Sequence, residues 1–400
     1  MAAVAVFGSA VLDLVFAPAR LPAPGETALS RAYRPFPGGK GANQALACAR
    51  AGARTSFTGV VGQDAFADMA LANLRDEGVD LAGVRRDANL PTACACVCVA
   101  PSGENMIVVG AGANEAARAA HLRQSEADGL PPSVRVLVMQ SEVPLEENER
   151  AALLARSGSG PPITLWNAAP GPDPAGDAPG LLTSILLLTD HLVVNEREAV
   201  AMYAAVLKGT RLDAPPPVDW ANKALERDGD DAAPENARTR PHLALDALYD
   251  ALALNGKAEW AACSLARRFG CVVCVTLGEA GASVYTPAML NRDAGFHVKA
   301  YEVTDPPPPP PKRMHADPPQ LPRGTAVVDT VGAGDAFVGA YAAAFALGMG
   351  LKDALRIATV AGTLACTRTG AQASPSSDAI RAVLDASNRP VTTEVLDSKA

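Results

Sequence analysis

The feature that most constrains the fold is a series of apolar segments that each end in a polar or glycine-containing turn. These segments lie at residues 134–140, 163–167, 192–195 and 272–277. Repeated units of strand and helix place such strands side by side in one parallel sheet. The sequence therefore predicts an α/β fold with a mostly parallel central sheet. Ligands of such folds bind where the strands end, and polar residues follow these ends at Glu142, Asn167, Asn195, Glu198, Thr276 and Gly278.

Composition fits this architecture and narrows the function. The 400 residues are 48% hydrophobic and only 4% aromatic, which suits a large core with small side chains where helices meet the sheet. We predict a single domain over residues 1–400. The net charge of −8 argues against a general nucleic-acid-binding surface.

The sequence also indicates where in the cell the protein is located. No apolar run reaches the length of a membrane span, and the chain starts with an apolar strand rather than a basic signal region. We therefore expect a cytoplasmic protein without a membrane partner. The last residues, Ser398, Lys399 and Ala400, come close to a peroxisomal Ser-Lys-Leu address but lack its leucine. A peroxisome-like organelle is the alternative location.

One region departs from the strand–helix repeat in a way that predicts a lid. Apolar segments at 92–98 and 105–109 flank a polar turn and predict a β-hairpin. A hairpin fits poorly into a parallel sheet. We therefore assign it, with the extended residues after Asp13, to a small lid whose strands lie within 11–38 and 91–110.

Two further stretches interrupt the repeat. Residues 209–242 are rich in proline and acidic side chains, and residues 304–324 include six consecutive prolines. Such composition is typical of surface segments that cannot bury a core. We predict surface insertions at both places.

The eight cysteines leave a metal site open without indicating one. Cys94, Cys96 and Cys98 alternate along a predicted strand and would share one face. Cys271 and Cys274 form a Cys-x-x-Cys motif. The surrounding Cys-Val-Val-Cys-Val-Thr run is nevertheless typical of a buried strand, in which cysteine acts as a small hydrophobic residue.

A glycine-rich turn at residues 329–335, Asp-Thr-Val-Gly-Ala-Gly-Asp, is the strongest candidate for chemistry. Gly332 and Gly334 permit backbone conformations that other residues avoid, and helix-forming residues follow. The free N–H groups at the start of that helix favour an anion such as a phosphate. Asp335 is either a general base for a hydroxyl beside that anion or a helix cap, and this stretch alone leaves both interpretations open. The turn is not a Walker A loop, because the Gly-x-x-x-x-Gly-Lys-Ser/Thr pattern is absent.

A second glycine-rich segment, Gly38-Gly-Lys-Gly-Ala-Asn-Gln44, leads into a predicted helix. Its glycines let the backbone approach a ligand closely, and Lys40 and Asn43 could hydrogen-bond a polyol there. A plain glycine-rich helix entry is the alternative interpretation. Asp13 follows the first predicted strand, at the end that faces the ligand crevice.

Together these segments resemble the ribokinase-like (PfkB-type) sugar kinases. The resemblance rests on two motifs in a fixed order, Gly38-Gly-Lys-Gly-Ala-Asn-Gln44 and Asp329-Thr-Val-Gly-Ala-Gly-Asp-Ala-Phe337. Shorter segments match the family at similar intervals, at residues 139–144, 195–198, 276–278 and 367–372. The likeness covers nearly the whole chain apart from the two predicted insertions. It implies a ribokinase-like three-layer αβα fold with a small β-strand lid.

The resemblance implies ATP-dependent phosphorylation of a small sugar, D-ribose, at its 5-hydroxyl. Asp335 would take the proton from that hydroxyl, and the N–H groups of Gly332, Ala333 and Gly334 would hold the transferred phosphoryl group. The sugar-binding positions of the family match Asp13, Gly39, Lys40, Asn43 and Glu142, together with Asp335. Carboxylates and amides in such a site can satisfy ring hydroxyls and reject analogues that lack them.

The resemblance also implies Mg²⁺ with ATP, and K⁺ as an activating monovalent cation. Asn195 and Glu198 match the Mg²⁺ and phosphate region. The nucleotide-binding positions match Asn195, Thr276, Gly278, Gly281, Gly334, Thr359 and Gly362. The monovalent-cation positions match Asp329, Val331, Thr367, Gly370 and Ser374. Because lid strands in this family often pair between subunits, the resemblance further implies a homodimer through the lid.

One departure from the family pattern affects the substrate. Val11 stands where the ribose kinases of the family usually have asparagine, so one sugar hydroxyl would lose its amide partner. Deoxyribose, fructose or a nucleoside such as adenosine are therefore alternative acceptors. A non-catalytic sugar or nucleotide sensor on the same fold is a further alternative, although a sensor does not need the base that Asp335 would supply.

Overall fold

The structure is a computed structural model of the chain. It describes residues 3–102, 104–122, 130–158, 160–173, 178–208, 257–287, 312–320, 325–386 and 392–395. The predicted insertion at 209–242 lies outside these residues. Among the helices of the described ranges, none combines the length and the apolar character needed to cross a membrane.

A nine-stranded sheet forms the centre of the described structure. From one edge to the other, its strands are Thr55–Thr58 (β4), Val4–Phe7 (β1), Val136–Gln140 (β9), Ile163–Asn167 (β10), His191–Asn195 (β11), Val272–Thr276 (β12), Ala282–Tyr285 (β13), Lys312–Ala316 (β14) and Thr392–Val395 (β15). The strands from β4 to β12 run parallel, and β13, β14 and β15 extend the sheet with antiparallel pairs. The predicted α/β fold with a mostly parallel central sheet is therefore confirmed.

Helices cover both faces of this sheet. One face packs against Leu145–Arg156 (α3), Pro179–Leu187 (α4), Glu196–Lys208 (α5) and Lys257–Phe269 (α6). The other face packs against Lys40–Arg50 (α1), Ala65–Asp76 (α2), Ala333–Ala346 (α7) and Leu351–Ala365 (α8), and Ser377–Ala386 (α9) packs on α8. Short 3₁₀ turns lie at Gly112–Ala116, Ala119–Leu122 and Gly278–Ala280. The three layers are the predicted αβα arrangement.

Side-chain alternation along the strands explains the two cores. On β9, Leu137 and Met139 belong to the core beneath α3 to α6, whereas Val136 and Val138 belong to the core beneath α1, α2, α7 and α8. All four side chains are fully buried. A strand that is covered on both faces has a continuous apolar sequence, and this makes such segments recognisable in the chain.

The lid is a separate four-stranded sheet. Its strands, in spatial order, are Ser30–Gly38 (β3), Val11–Pro18 (β2), Ala93–Val99 (β7) and Asn105–Gly110 (β8). The last two form the predicted antiparallel hairpin, and β2 joins β7 in parallel. Val60–Gly62 (β5) and Arg85–Asp87 (β6) form a third sheet of two strands.

The prediction of a surface insertion at 304–324 is wrong for residues 312–316. Residues 312–316 form β14, which pairs with β13 and buries Met314 and Ala316 against the α1, α2, α7 and α8 side of the sheet. The preceding proline run dominates the composition of the segment and hides this short strand. Residues 304–311 and 321–324 lie outside the described residues.

Candidate active site

Asp335 lies in the first turn of α7 and is only 7% exposed. The N-cap of this helix is Gly332, which has a φ of 76° in the left-handed region. A Cβ at Gly332 would lie 2.0 Å from the carbonyl oxygen of Ala371, so both the conformation and the space require glycine. The helix-cap interpretation of Asp335 is therefore wrong, and its carboxylate has other partners.

Close packing of α1 on α7 brings those partners to Asp335. A Cβ at Gly339 of α7 would lie 2.4 Å from the Cβ of Ala47 and 2.7 Å from the carbonyl oxygen of Gln44. The thiol of Cys48 also donates to the carbonyl oxygen of Gly339, with a sulfur–oxygen distance of 3.3 Å. Gly339 thus lets the two helix backbones approach closely, although Cys48 and Gly339 are 291 positions apart in sequence.

Two amide side chains at the start of α1 hold the carboxylate. Asn43 Nδ2 donates to Asp335 Oδ2, and Gln44 Nε2 donates to Asp335 Oδ1, both at 2.9 Å. Asn43 and Gln44 are themselves buried. The two predicted glycine-rich motifs therefore meet through side chains. Sequence reasoning included Asn43 but missed Gln44, because the motif does not show on which side of the helix each amide lies.

The remaining sugar-binding candidates lie near the start of α1. Glu142 Oε2 accepts from the hydroxyl of Ser9 at 2.6 Å and from the backbone N–H of Lys40 at 2.9 Å. Ser9 Oγ accepts in turn from the N–H of Gly41 at 3.3 Å. Ser9 fixes Glu142 and is fully buried, and its place directly after Gly8 was the only sequence signal for it.

Asp13 is the third carboxylate of this region, beside Glu142 and Asp335. A Cβ at Gly38 would lie 2.4 Å from Asp13 Oδ2, so this glycine makes room for the carboxylate. Burial raises the pKa of Asp13 to about 6, and the charges of Glu142 and Asp335 add to this shift. Gly39, with a φ of 89°, lies directly before α1 and against the backbone of Val11.

Lys40 is the positive charge among these carboxylates. Burial lowers the pKa of Lys40, but the charges of Asp335, Glu142 and Glu198 outweigh this effect and raise the pKa above its ordinary value. The ammonium group therefore stays charged and balances the acidic side chains on both sides of the Asp335 turn.

The turn before α7 offers fewer free N–H groups than predicted. The N–H of Ala333 donates to the carbonyl oxygen of Thr330 at 3.2 Å. The N–H groups of Gly332 and Gly334 have no acceptor within the described ranges. A Cβ at Gly334 would meet no atom within 4 Å, so this exposed position opens toward solvent.

Asp329 links the two loops in which a monovalent cation was predicted. Its Oδ1 accepts from the N–H of Val331 at 3.0 Å, and its Oδ2 accepts from the N–H of Gly370 at 2.8 Å. Thr367 donates its hydroxyl to the carbonyl oxygen of Leu364. Ser374 is engaged through both its carbonyl and hydroxyl oxygens by the guanidinium of Arg50, at 3.1 and 3.4 Å, so an arginine already supplies positive charge there.

Asn195 and Glu198 cap each other at the start of α5. The N–H of Asn195 donates to Glu198 Oε2, and the N–H of Glu198 donates to Asn195 Oδ1, each at 2.8 Å. Burial raises the pKa of Glu198, whereas the Asn195 N–H and the charge of Lys40 oppose the shift. In the sheet, Asn195 pairs directly with Thr276, so these two candidates lie side by side at the ends of β11 and β12.

Among the other residues predicted to bind the nucleotide, some face open space and others pack against the protein. A Cβ at Gly278 would meet nothing within 4 Å, as expected for a ligand-facing glycine. Packing alone requires glycine at position 281, because a Cβ there would lie 2.2 Å from the carbonyl oxygen of Ala316. Thr359 donates its hydroxyl within α8, and Gly362 lies where α8 approaches Ala333. These last two therefore serve helix packing in the structure.

The cysteines of the two sequence patterns lie on or directly beside strands. Cys271 and Cys274 are buried at β12, and Cys94, Cys96 and Cys98 follow one another along β7. Within the described parts of the chain, no group of three or more histidine, cysteine, aspartate and glutamate side chains is placed to hold a metal ion.

Comparison with known proteins places this geometry in a family. The family described as pfkB family carbohydrate kinase matches residues 1–214 and 315–378. A ribokinase of Haemophilus influenzae is 36% identical over 194 residues, which are 48% of this chain and 60% of that relative, less than two thirds of its length. A ribokinase of Schizosaccharomyces pombe is 30% identical over 377 residues, which are 93% of this chain and 94% of the relative.

Solved structures agree on the fold. The structure of Arabidopsis thaliana ribokinase complexed with ribose and ATP matches with a TM-score of 0.65 and 22% identity. The match covers 96% of this chain and 98% of that chain. Identity this low shows the fold, while the sequence matches carry the family assignment. The chain belongs to the pfkB family of carbohydrate kinases.

Proposed function

We propose that this sugar kinase transfers the γ-phosphoryl group of ATP to the 5-hydroxyl of D-ribose, with Asp335 as the general base. The observation that carries the proposal is the buried Asp335 carboxylate, held by amide donors from Asn43 and Gln44 in the first turn of α7. A fixed carboxylate beside free helix N–H groups can receive a proton where a phosphoryl group is bound.

The sugar would bind between the lid and α1. Asp13, Glu142 and Lys40 bring carboxylate oxygens and an ammonium group together near the start of α1. Asn43 Oδ1 is buried and has no hydrogen-bond partner within the described ranges, so it is free to accept from a sugar hydroxyl. A buried acceptor without a partner is costly, which favours a ligand with a hydroxyl at this point.

The nucleotide would bind across the ends of β11 and β12. Only Oε2 of Glu198 is hydrogen-bonded among the described residues, so Oε1 can face a hydrated Mg²⁺, the form in which Mg²⁺ commonly meets protein carboxylates. When bound with ATP, Mg²⁺ would supply positive charge at the phosphates. Gly278 and Gly334 leave open space for the nucleotide and its phosphates.

The reaction would be an in-line displacement. The ribose O5 forms a bond to the γ-phosphorus, the bond from that phosphorus to the bridging β–γ oxygen breaks, and ADP leaves with the bond electrons. Asp335 takes the O5 proton as the new bond forms. The N–H groups of Gly332 and Gly334 would stabilise the charge on the transferred group, so positioning and electrostatics do most of the catalysis.

A monovalent cation would act next to this turn. The Asp329 carboxylate joins the turn to the Gly370 loop through two backbone N–H groups, so a cation beside Asp329 would order the run of N–H groups that follows. We propose K⁺ there, with carbonyl oxygens of Val331 and of the 367–370 loop as ligands. The arginine contact of Ser374 makes Ser374 the weakest member of this set.

We further propose a homodimer through the lid. The strand β8 exposes Ile107, Val108 and Val109 at 55%, 63% and 59%. A row of exposed aliphatic side chains on an edge strand favours pairing with another strand surface. A second copy of the lid is the partner that the family resemblance suggests.

Val11 favours one alternative acceptor. Its side chain is buried and packs with Ala93, Ala95 and Val97, so this wall of the lid is apolar only two residues from Asp13. A sugar that presents a CH₂ group instead of a hydroxyl would lose nothing against this wall. 2-Deoxyribose is therefore the second candidate.

The test is steady-state ADP release with ribose, 2-deoxyribose, fructose and adenosine, each with Mg²⁺ and with or without K⁺. We expect the highest kcat/KM with ribose and stimulation by K⁺. Preference for 2-deoxyribose would move the acceptor and keep the mechanism. No sugar-dependent ADP release with any acceptor would contradict the kinase proposal and favour a sensor.

A further inference from the structure

A chain of buried amides continues from Asp335 into the sheet. Gln44 Nε2 donates to Asp335 Oδ1 and also to Asn167 Oδ1, both at 2.9 Å. Gln44 Oε1 accepts from Gln140 Nε2 at 2.8 Å. Asn167 lies at the end of β10 and Gln140 at the end of β9, and each of the four side chains is less than a tenth exposed.

The Val193 carbonyl and the Asp335 carboxylate set the direction of every hydrogen bond in this series of amides. Asn167 Nδ2 donates to the carbonyl oxygen of Val193 at 3.0 Å, so Asn167 Oδ1 must face Gln44 as an acceptor. An ionised Asp335 carboxylate is also an acceptor only. Gln44 therefore has to present its NH₂ group to both of them, which leaves its oxygen for Gln140.

Only glutamine meets all three demands at position 44. Its amide offers two N–H donors and an acceptor oxygen at the end of a side chain long enough to reach from α1. Glutamate would offer acceptors alone, lysine would offer donors alone, and asparagine is one methylene shorter. The choice of residue thus follows from the partners and not from helix packing.

We infer that Gln44 is a positioning residue that fixes the Asp335 carboxylate to the carboxyl end of the central sheet through Oδ1. The inference rests on the proposed role of Asp335 as base. Gln44 does not need to touch the sugar or the phosphates. It ties the base on α7 to β9 and β10, the strands whose ends also carry Glu142 and Asn167.

Other charged groups face Asp335 without holding it. Asp13 on β2, Lys40 on α1 and Glu198 on α5 act on it through their charges, and Glu142 after β9 acts on its neighbours Asp13 and Lys40. Among the described side chains, Asn43 and Gln44 are the hydrogen-bond donors to the carboxylate. Loss of the Gln44 amide thus removes a hydrogen-bond donor from Asp335 Oδ1, while the surrounding charges stay the same.

The test compares pH profiles of kcat for the wild type, Gln44→Met and Gln44→Glu in the full-length enzyme. A donor to a carboxylate stabilises its ionised form, so its removal in Gln44→Met should raise the apparent pKa of the acid limb by about one pH unit. Gln44→Glu places a second carboxylate against Asp335, and the pair would share a proton, so the acid limb should move further up. KM for ATP should stay near the wild-type value.

The matched control is Asn148→Leu. Asn148 is fully buried in the same region and donates to the backbone carbonyl of Gln140 at 2.6 Å, without contact to Asp335. This variant should lose thermal stability and keep the acid limb where it is. If Gln44→Met and Gln44→Glu lower kcat by the same factor at every pH, Gln44 has a merely structural role and the inference is overturned.

Asp335→Asn separates this inference from the proposed function. An inactive Asp335→Asn enzyme together with unshifted Gln44 variants would overturn the role of Gln44 alone. A nearly active Asp335→Asn enzyme would overturn the base assignment on which the inference rests. Gln44→Glu has almost the shape of glutamine, so it remains informative if Gln44→Met does not fold.

Discussion

The two sides of the Asp335 turn are built differently. The proposed sugar side comprises Asp13, Lys40, Asn43, Glu142 and Asp335, whose side chains are buried or half-buried, and its Asp335 and Glu142 carboxylates already accept hydrogen bonds from neighbouring side chains. The proposed nucleotide side comprises Asn195, Glu198, Thr276, Gly278 and the 329–334 turn, and it consists largely of exposed or half-buried residues and backbone groups.

This difference shows which side of the site is rigid without a bound ligand. The Asp335 carboxylate, which we propose as the base, is held by protein donors alone, because these donors are buried where α1 packs on α7. Preorganised groups lose little entropy at the moment of reaction. On the proposed nucleotide side, by contrast, the N–H groups of Gly332 and Gly334 have no acceptor among the described residues, and we propose that an anion supplies it. Substitutions on the two sides should therefore fail in different ways.

The largest expected effect comes from Asp335→Asn on the sugar side. Removal of a general base typically costs about 10²- to 10⁴-fold in rate, so kcat should fall by at least about 100-fold. The affinity for ATP should change little, because the nucleotide side is left intact. Steady-state kinetics and ATP binding by calorimetry measure the two quantities.

The control for this variant is Asp353→Asn, which removes an exposed carboxylate from the first turn of α8. It should leave kcat unchanged. A comparable loss of kcat in Asp353→Asn would point to a general charge effect and against Asp335 as the base.

The next effect distinguishes two glycines of the same turn. Gly334→Ala adds a methyl group where the protein has open space, so stability should stay the same or rise by about 0.5–1 kcal/mol. The methyl group would keep the phosphoryl group away from the Gly334 N–H, and loss of contact with one such donor costs about 10²- to 10³-fold in kcat. Gly332→Ala, in contrast, should destabilise the fold, because its Cβ would lie 2.0 Å from the Ala371 carbonyl oxygen. Denaturation and kinetics of both variants test this; a fully active Gly334→Ala enzyme would contradict the anion site.

A smaller effect is expected from Gly339→Ala, which pushes α1 and α7 apart. Overpacking of this kind costs about 1–3 kcal/mol of unfolding free energy. Because the contact lies beside Gln44, kcat should also fall, by about tenfold for a displaced base. Gly180→Ala is the matched control, since its added methyl group meets no atom within 4 Å on α4. If the two variants behave alike, close packing of α1 on α7 does not position Asp335.

The smallest effect concerns the pH dependence of stability at Asp13. Its pKa is raised from 3.8 to about 6 in the folded protein, first by burial and then by Glu142 and Asp335. The folded state therefore binds more protons than the unfolded state between these values, and stability falls as pH rises through about 6. Asp13→Asn should gain stability on the order of 1–2 kcal/mol at pH 8 and almost none at pH 4. Denaturant titrations at both pH values test the sign, and a gain of equal size at pH 4 would contradict it.

The sequence was most informative about the central sheet and the start of α7. Continuous apolar segments predicted β9 to β12, and the glycines of the 329–335 turn marked the start of α7. Glycine spacing and apolar runs are local signals, so they can be recognised in one segment at a time. The hairpin of β7 and β8 was found for the same reason.

The sugar side depends on contacts between distant segments. Gln44 meets Asp335 across 291 positions of sequence, and Ser9 meets Glu142 across 133. No local pattern shows that an amide or a hydroxyl turns into the core and not toward solvent. The strand β14 was missed for a related reason, because its apolar residues follow a proline run and its partner strands are separated from it in the chain.

The measurement that tests the central claim most directly is the position of the phosphate on the product. The wild-type enzyme is incubated with ribose, ATP and Mg²⁺, and the product is analysed by phosphorus NMR with coupling to the sugar protons. We predict one sugar phosphate, coupled to the two protons on C5, formed in equal amount to ADP. A phosphate on another oxygen, or ADP without any sugar phosphate, would contradict a base at Asp335 that acts on the 5-hydroxyl of ribose.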